Sequence, residues 1–235
     1  MKNFLAFITL LIIFNPVFSQ VKKAQNDPGY DYKRLHFGFT VGLNTMDFGI
    51  RRPEMDTTLL FADVSRISPG FQVSIVSDLR LADYFSLRFL PGITFGQRTI
   101  QYYNNDSIRS YSGNDMELES NYLDFPLLVK YKSKRVNNYA PYLIAGSSVR
   151  YDLAARRRIN TTGDTDRRLR PVDIYFEFGF GIDYYLKYFK FSTELKLSAG
   201  LRDIWINDDA KYEGAEIESI DRLNSYLVML CFHFE

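Results

Sequence analysis

Residues 174–186 have the sequence Ile-Tyr-Phe-Glu-Phe-Gly-Phe-Gly-Ile-Asp-Tyr-Tyr-Leu, in which every second residue is apolar. Strict alternation predicts a β-strand, because successive side chains leave opposite faces of a pleated chain. Phe and Ile dominate one face, whereas the other face mixes acids and tyrosines with glycine. A face this bulky and uniform suits lipid better than the inside of a small barrel. The stretch therefore predicts one strand of a transmembrane β-barrel.

Seven further segments show the same alternation, and residues 174–186 are sixth in chain order. The others are residues 35–44, 71–80, 85–96, 123–132, 142–153, 191–202 and 226–234. Most are about ten residues or longer, which matches a tilted membrane crossing. Pro91 cannot donate to the hydrogen-bond ladder, so we expect a bulge or an unpaired site there. The predicted fold is all-β: an eight-stranded antiparallel transmembrane barrel with up-and-down meander order.

The connections between these strands alternate in length. Residues 81–84, 133–140 and 187–188 form short turns, whereas the other four connections have roughly 18–24 residues each and are rich in charge and in Asn, Asp, Ser or Gly. Outer-membrane barrels show this asymmetry, with short turns on the periplasmic side. We therefore expect both termini in the periplasm and the last strand closing on the first. Phe234, after Phe232 and Leu230, resembles the carboxy-terminal aromatic signal of barrel assembly.

The amino-terminal residues predict export from the cytoplasm. Lys2 precedes an apolar run at residues 4–14, and the sequence around Ser19 and Gln20 fits a cleavage site between them. The run is too short for a comfortable transmembrane helix, although an uncleaved anchor is the alternative. We predict a signal peptide at residues 1–19, a periplasmic segment at 20–33 and an outer-membrane barrel at 34–235. Cys231 is the single cysteine, so no disulfide can form within the chain.

The inward faces of the predicted strands carry equal numbers of cations and acids. The cations are Arg80, Arg88, Lys130, Arg150, Lys196 and Arg202, and the acids are Asp78, Asp124, Asp152, Glu177, Asp183 and Glu194. An eight-stranded barrel is narrow enough for side chains to fill, and buried charge has to be paired. We interpret the set as a structural lumen network centred on Arg88, Asp124, Lys130, Glu177, Asp183, Glu194 and Lys196. An ion-conducting pore is the alternative.

The remaining polar residues predict no catalytic or metal site. His36 lies near the start of the first predicted strand and His233 near the end of the last, so closure should bring them together at the periplasmic mouth as packing residues. A metal shared by the two is the alternative, without an obvious third ligand. No nucleophile motif, phosphate loop or cofactor motif occurs, so we expect no enzyme and no cofactor. The net charge of +1 gives no bias toward nucleic acid.

Two of the long loops carry opposite charge. One is basic, with Arg156, Arg157, Arg158, Arg167, Arg168 and Arg170, and the next is acidic, from Asp203 to Asp221. They either pair as solvated surface loops or form a docking surface for a protein partner or lipid phosphates. The sequence leaves these two interpretations open.

Three segments resemble the PorT family of Bacteroidota outer-membrane barrels. They are Lys-Arg-Leu-His-Phe-Gly-Phe-Thr at residues 33–40, Tyr-Leu-Asp-Phe-Pro-Leu-Leu-Val-Lys-Tyr-Lys at 122–132 and Pro-Tyr-Leu-Ile-Ala-Gly at 141–146. The resemblance implies a non-enzymatic component or assembly factor of type IX protein secretion and gliding motility. It also implies contact with outer-membrane lipid and with proteins of a secretion complex. A small passive porin or solute channel, and an adhesin acting through its loops, are the alternatives.

Overall fold

Antiparallel strands make up most of the described chain. The computed structural model describes residues 25–51, 60–64, 68–104, 111–154, 170–203 and 222–235. Their strands are β1 (Leu35–Arg51), β2 (Leu60–Val64), β3 (Ser68–Arg80), β4 (Phe85–Phe89), β5 (Gly92–Asn104), β6 (Tyr111–Lys132), β7 (Tyr139–Asp152), β8 (Val172–Tyr185), β9 (Lys190–Gly200) and β10 (Arg222–Phe234). A 3₁₀ turn at Tyr30–Tyr32 precedes β1. No helix in these ranges is long and apolar enough to span a membrane.

The sheet closes on itself to form a barrel. β1 pairs with β10 on one side and with β3 on the other, and every other pairing is also antiparallel. β4 and β5 lie end to end as one crossing between β3 and β6. β2 pairs with the far end of β5 only. Eight crossings in meander order remain, which confirms the predicted eight-stranded antiparallel barrel.

The two faces of the strands follow the predicted alternation. On β8, Phe176, Phe178 and Phe180 point outward and are 52%, 45% and 54% exposed, whereas Glu177 and Asp183 are fully buried. The outer wall is therefore apolar and the inner wall carries the polar residues. This arrangement is the one that lipid on the outside requires.

Pro91 interrupts the third crossing, as its missing amide proton predicts. β4 ends at Phe89 and β5 begins at Gly92. The Pro91 carbonyl still accepts a hydrogen bond from the Ile75 amide at 2.9 Å. The strand is therefore interrupted at the proline but keeps its hydrogen bond to β3.

The prediction of a long loop at residues 97–122 is wrong. β5 continues to Asn104 and β6 already begins at Tyr111, so most of this connection is a β-hairpin that prolongs the barrel wall. The first long connection also contains β2, and β1 continues to Arg51. A ribbon beyond the lipid needs no apolar face, so it lacks the alternation on which the prediction depended.

The two ends of the barrel differ. Short connections at residues 81–84, 133–138 and 186–189 lie at one end, which we call the turn rim. β1 begins and β10 ends at this rim as well, so residues 25–34 and Glu235 lie there. We call the opposite end the loop rim.

Candidate functional site: the charged lumen and the strap

The lumen holds the seven charged side chains of the predicted network. Each residue of the predicted network is at most 5% exposed: Arg88, Asp124, Lys130, Glu177, Asp183, Glu194 and Lys196. They lie on β4, β6, β8 and β9, at the inward positions of the alternation. The structure groups them into two layers.

Arg88 forms the centre of the layer near the turn rim. Its guanidinium lies 2.8 Å from the Asp78 carboxylate, 2.9 Å from that of Glu235 and 3.6 Å from that of Glu194. Four pairings separate β4 from β9 in either direction around the sheet. The ion pair between Arg88 and Glu194 therefore crosses the full width of the lumen.

Two lysines complete this layer. Lys130 Nζ lies 2.8 Å from Asp183 Oδ2, and Ser192 Oγ donates to Asp183 Oδ1 at 2.6 Å. Lys190 Nζ lies 2.7 Å from Glu235 Oε2. These contacts give each buried cation a carboxylate, which offsets the cost of removing both from water.

The middle layer surrounds Glu177. Arg150 Nη2 lies 2.6 Å from Glu177 Oε1, and Lys196 Nζ lies 3.0 Å from Glu177 Oε2. Arg150 Nε also lies 2.7 Å from Asp124 Oδ1. Ser148 Oγ donates to Glu177 at 2.8 Å. One carboxylate thus joins β7, β8 and β9 through charged side chains.

Arg98, nearer the loop rim, is buried in a different way. It donates to Ser225 Oγ at 2.7 Å, to Ser120 Oγ at 2.5 Å and to the Tyr122 hydroxyl. Its guanidinium carbon also lies 4.1 Å from the centre of the Phe48 ring. Among the side chains that the structure describes, no carboxylate lies within ion-pair distance of it. Hydroxyl groups and ring faces stabilise this cation instead.

Three of the predicted inward charges have other roles. Arg80 is partly exposed at the turn rim and pairs with Asp83 at 2.6 Å. Arg202 follows β9 and is exposed. Asp152 accepts a hydrogen bond from the Ala154 amide at 2.8 Å, where β7 ends. For Arg80 and Arg202 the placement inside the lumen was wrong, because each lies at or just past a strand end.

Sequence reasoning missed four buried charged side chains, namely Arg98, Asp173, Lys190 and Glu235. Lys190 and Glu235 lie directly outside the predicted strands, and Arg98 lies in the ribbon that was predicted as a loop. For Lys190 and Arg98, extending the alternation outward from the apolar segments would have placed them on the inward face. No local signal marks Glu235 as a partner of Arg88.

The prediction that closure brings the two histidines together is wrong. The register places His233 opposite Thr40 on β1, whereas His36 lies four residues before Thr40 and opposite Asp78 on β3. His233 Nδ1 lies 2.6 Å from Thr40 Oγ1, and its Nε2 lies 3.3 Å from Glu194 Oε2. In the described ranges, no group of three His, Cys, Asp or Glu side chains is arranged to hold a metal.

Residues 25–34, which we call the strap, fold across the turn rim. Asn26 donates from its amide to Asn138 Oδ1 at 2.9 Å and from its side chain to the Tyr185 carbonyl at 3.0 Å. Asp31 lies 2.7 Å from Lys132 Nζ and 3.6 Å from Arg135 Nη1. The strap thus contacts side chains and a carbonyl from separate turns and strands. No pattern in its sequence predicts these contacts.

Burial and charge shift the acidities in the strap. Burial raises the pKa of the Tyr30 hydroxyl, so this group stays protonated and donates to Glu235. Burial also acts to raise the pKa of Asp31, but the hydrogen bond and charge of Lys132 outweigh it. The pKa of Asp31 is lowered as a result, and its carboxylate stays charged at neutral pH.

Two predicted sites lie outside the described residues. These are the cleavage site at Ser19 and Gln20 and most of the arginine loop, namely Arg156, Arg157, Arg158, Arg167 and Arg168. Arg170 lies two residues before the start of β8. It is among the described residues and is exposed.

Solved structures of small outer-membrane proteins are similar to this chain. OprG from Pseudomonas aeruginosa is 15% identical, with 86% of this chain and 94% of that chain covered and a TM-score of 0.46. The Neisserial surface protein A, NspA, is 14% identical, with coverage of 86% and 98% and a TM-score of 0.42. The amino-terminal barrel domain of Pseudomonas aeruginosa OprF is 12% identical, with coverage of 83% and 96% and a TM-score of 0.36. Comparison with curated protein sequences finds no match.

The sequence itself matches a protein family over most of its length. The profile described as outer membrane protein beta-barrel domain covers residues 18–205. This range extends across the crossings from β1 to β9, whose pairing closes the barrel together with β10. The chain therefore belongs to the outer membrane protein β-barrel domain family.

Proposed function

We propose that this protein is a sealed, non-catalytic scaffold of the outer membrane, with both termini in the periplasm. The observation that carries the proposal is the ion pair between Arg88 and Glu194, which joins opposite walls of the lumen. Scaffolds of this kind act through their rims and loops, since the lumen itself offers no passage.

The charged layers support a seal rather than a channel. An ion that crossed the lumen would have to separate Arg88 from its three carboxylates and Glu177 from its two cations. A buried charge that loses its partner costs about 3–5 kcal/mol. Two successive layers of this kind disfavour the passive-porin alternative.

The proposed cellular role is that of a component or assembly factor of type IX secretion, with proteins of the secretion complex as partners. This part of the proposal depends on the resemblance of residues 33–40, 122–132 and 141–146 to the PorT family. A barrel that does not conduct fits such a role, because it contributes surfaces rather than a pore.

Deletion of the gene in the native bacterium, with complementation by the wild-type gene, tests the cellular role. We expect loss of secreted type IX cargo in the deletion strain and its recovery on complementation. Intact cargo secretion together with altered surface attachment would contradict the secretion role and favour the adhesin alternative.

A further inference from the structure

The turn rim contains a pocket that is already filled by part of the chain itself. We propose that this pocket is a peptide-binding site, occupied in cis by Tyr30 and Asp31 of the strap. In trans it would take a peptide segment of a partner protein that adopts the same 3₁₀ turn and in which an aromatic residue is followed directly by an acid. This inference goes beyond the scaffold role and does not depend on type IX secretion.

The aromatic half of the site surrounds the Tyr30 ring. The ring stacks on His36 at a centroid distance of 4.0 Å. It also makes a T-shaped contact with the Tyr185 ring at a centroid distance of 5.6 Å. Lys190 Nζ lies 4.8 Å from the ring centre, and the Tyr30 hydroxyl donates to Glu235 Oε2 at 3.0 Å. The slot therefore recognises both the face and the polar tip of a tyrosine.

The acidic half of the site is built from cations that have no other carboxylate. Lys132 pairs with Asp31, and its remaining hydrogen bond goes to the Tyr185 hydroxyl at 3.0 Å. Arg135 approaches the same carboxylate, and its hydrogen bonds otherwise go to carbonyl and amide oxygens. Within the described ranges, Asp31 is the one carboxylate that pairs with either cation. Without the strap, two cations at the rim would lack a counter-charge.

The site also recognises the peptide backbone. Arg80 donates to the Asp31 carbonyl, and Arg135 donates to that of Asn26. Asn138 accepts the Asn26 amide. Side-chain donors that bind main-chain atoms hold the segment in its turn conformation without demanding particular side chains at every position.

The walls of the site stand independently of the strap. His36, Arg80 and Lys132 belong to strands β1, β3 and β6, and Tyr185 and Lys190 belong to β8 and β9, all held in the barrel by their neighbours. A site preorganised in this way retains its shape when the strap leaves. Because the strap is tethered to β1, it competes at a high effective concentration, on the order of millimolar.

The test uses the full chain with a weakened strap, as Tyr30→Ala and as Tyr30→Ala/Asp31→Asn. A fluorescently labelled synthetic peptide copying residues 25–33 is titrated in detergent and followed by anisotropy. We expect the double variant to bind this peptide at least ten-fold more tightly than the wild type, with the single variant between them. Retention of the heat-dependent shift in gel mobility shows that each barrel remains folded.

Two controls separate recognition from general attraction. A peptide of the same composition with tyrosine and aspartate moved apart should bind at least ten-fold more weakly. Lys132→Met, added to the double variant, should abolish binding of the native peptide. Equal binding by wild type and double variant, equal binding of both peptides, or no binding to the folded double variant would each overturn the proposal.

Discussion

The half of the lumen near the turn rim and the half near the loop rim bury arginine in two different ways. Arg88 has three carboxylates around its guanidinium, one of them from the opposite wall. Arg98 has two serine hydroxyls, a tyrosine hydroxyl and a phenylalanine ring face. Both side chains are fully buried.

The two environments determine which buried groups lose a partner when each arginine is replaced. Loss of Arg88 would leave charged carboxylates facing each other in a buried layer, and uncompensated buried charge is costly. Loss of Arg98 would leave neutral hydroxyls, which cost much less to leave unsatisfied. We infer that the half near the turn rim is held by charge and the half near the loop rim by neutral packing.

The largest predicted effect follows from removing the central charge. Arg88→Met should lower the free energy of unfolding by about 3–5 kcal/mol, because it breaks a buried ion-pair cluster. The measurement is urea unfolding of the barrel in detergent or lipid, followed by the gel-mobility shift. If Arg88→Met lowers the free energy of unfolding by less than about 1 kcal/mol, the carboxylates are stabilised without Arg88. That result would contradict the inference that charge holds the half of the lumen near the turn rim.

The same substitution in the other half should have a smaller effect. Arg98→Met should cost about 1–2 kcal/mol, because the serine and tyrosine hydroxyls lose a donor but no charge is left unpaired. Measured under identical urea conditions, this variant is the matched control for Arg88→Met. Equal destabilisation by the two variants would remove the distinction between the halves.

The smallest predicted effect belongs to the rim and depends on pH. Asp31→Asn should cost about 0.5–1 kcal/mol at pH 7, since the carboxylate is partly exposed. The folded-state pKa of Asp31 is lowered, so its contribution is complete above the ordinary aspartate range and is lost as the pH falls through the lowered value. Urea unfolding at pH 7 and near pH 3 should therefore show the two proteins converging in acid. A difference that grows in acid would contradict the assigned ion pair.

Alternation predicted the parts of the molecule that contact lipid. Phe176, Phe178 and Phe180 were correctly placed outside and Glu177 inside, because one face must match hydrocarbon and the other a polar lumen. Pro91 correctly predicted an interruption in its strand for a different reason. A proline lacks an amide proton, and this affects only the hydrogen bonds at its own position.

Features set by distant contacts were not predictable in the same way. The offset between His36 and His233 depends on the stagger of β1 against β10, and strand ends are uncertain by a few residues. The strap has no periodic pattern, and its partners Lys132, Tyr185 and Glu235 lie more than 100 residues away along the chain. The strand segments at residues 97–104 and 111–122 lacked an alternating apolar face, so their polarity was mistaken for a loop.

We propose that charged side chains seal the lumen. Single-channel recording in a planar lipid bilayer measures directly whether ions pass through it. The purified, folded wild-type barrel is inserted and the current is measured at a fixed voltage in concentrated salt. We expect no steady conductance on the nanosiemens scale. A stable open current of that size in the wild-type protein would contradict the seal and favour the porin alternative.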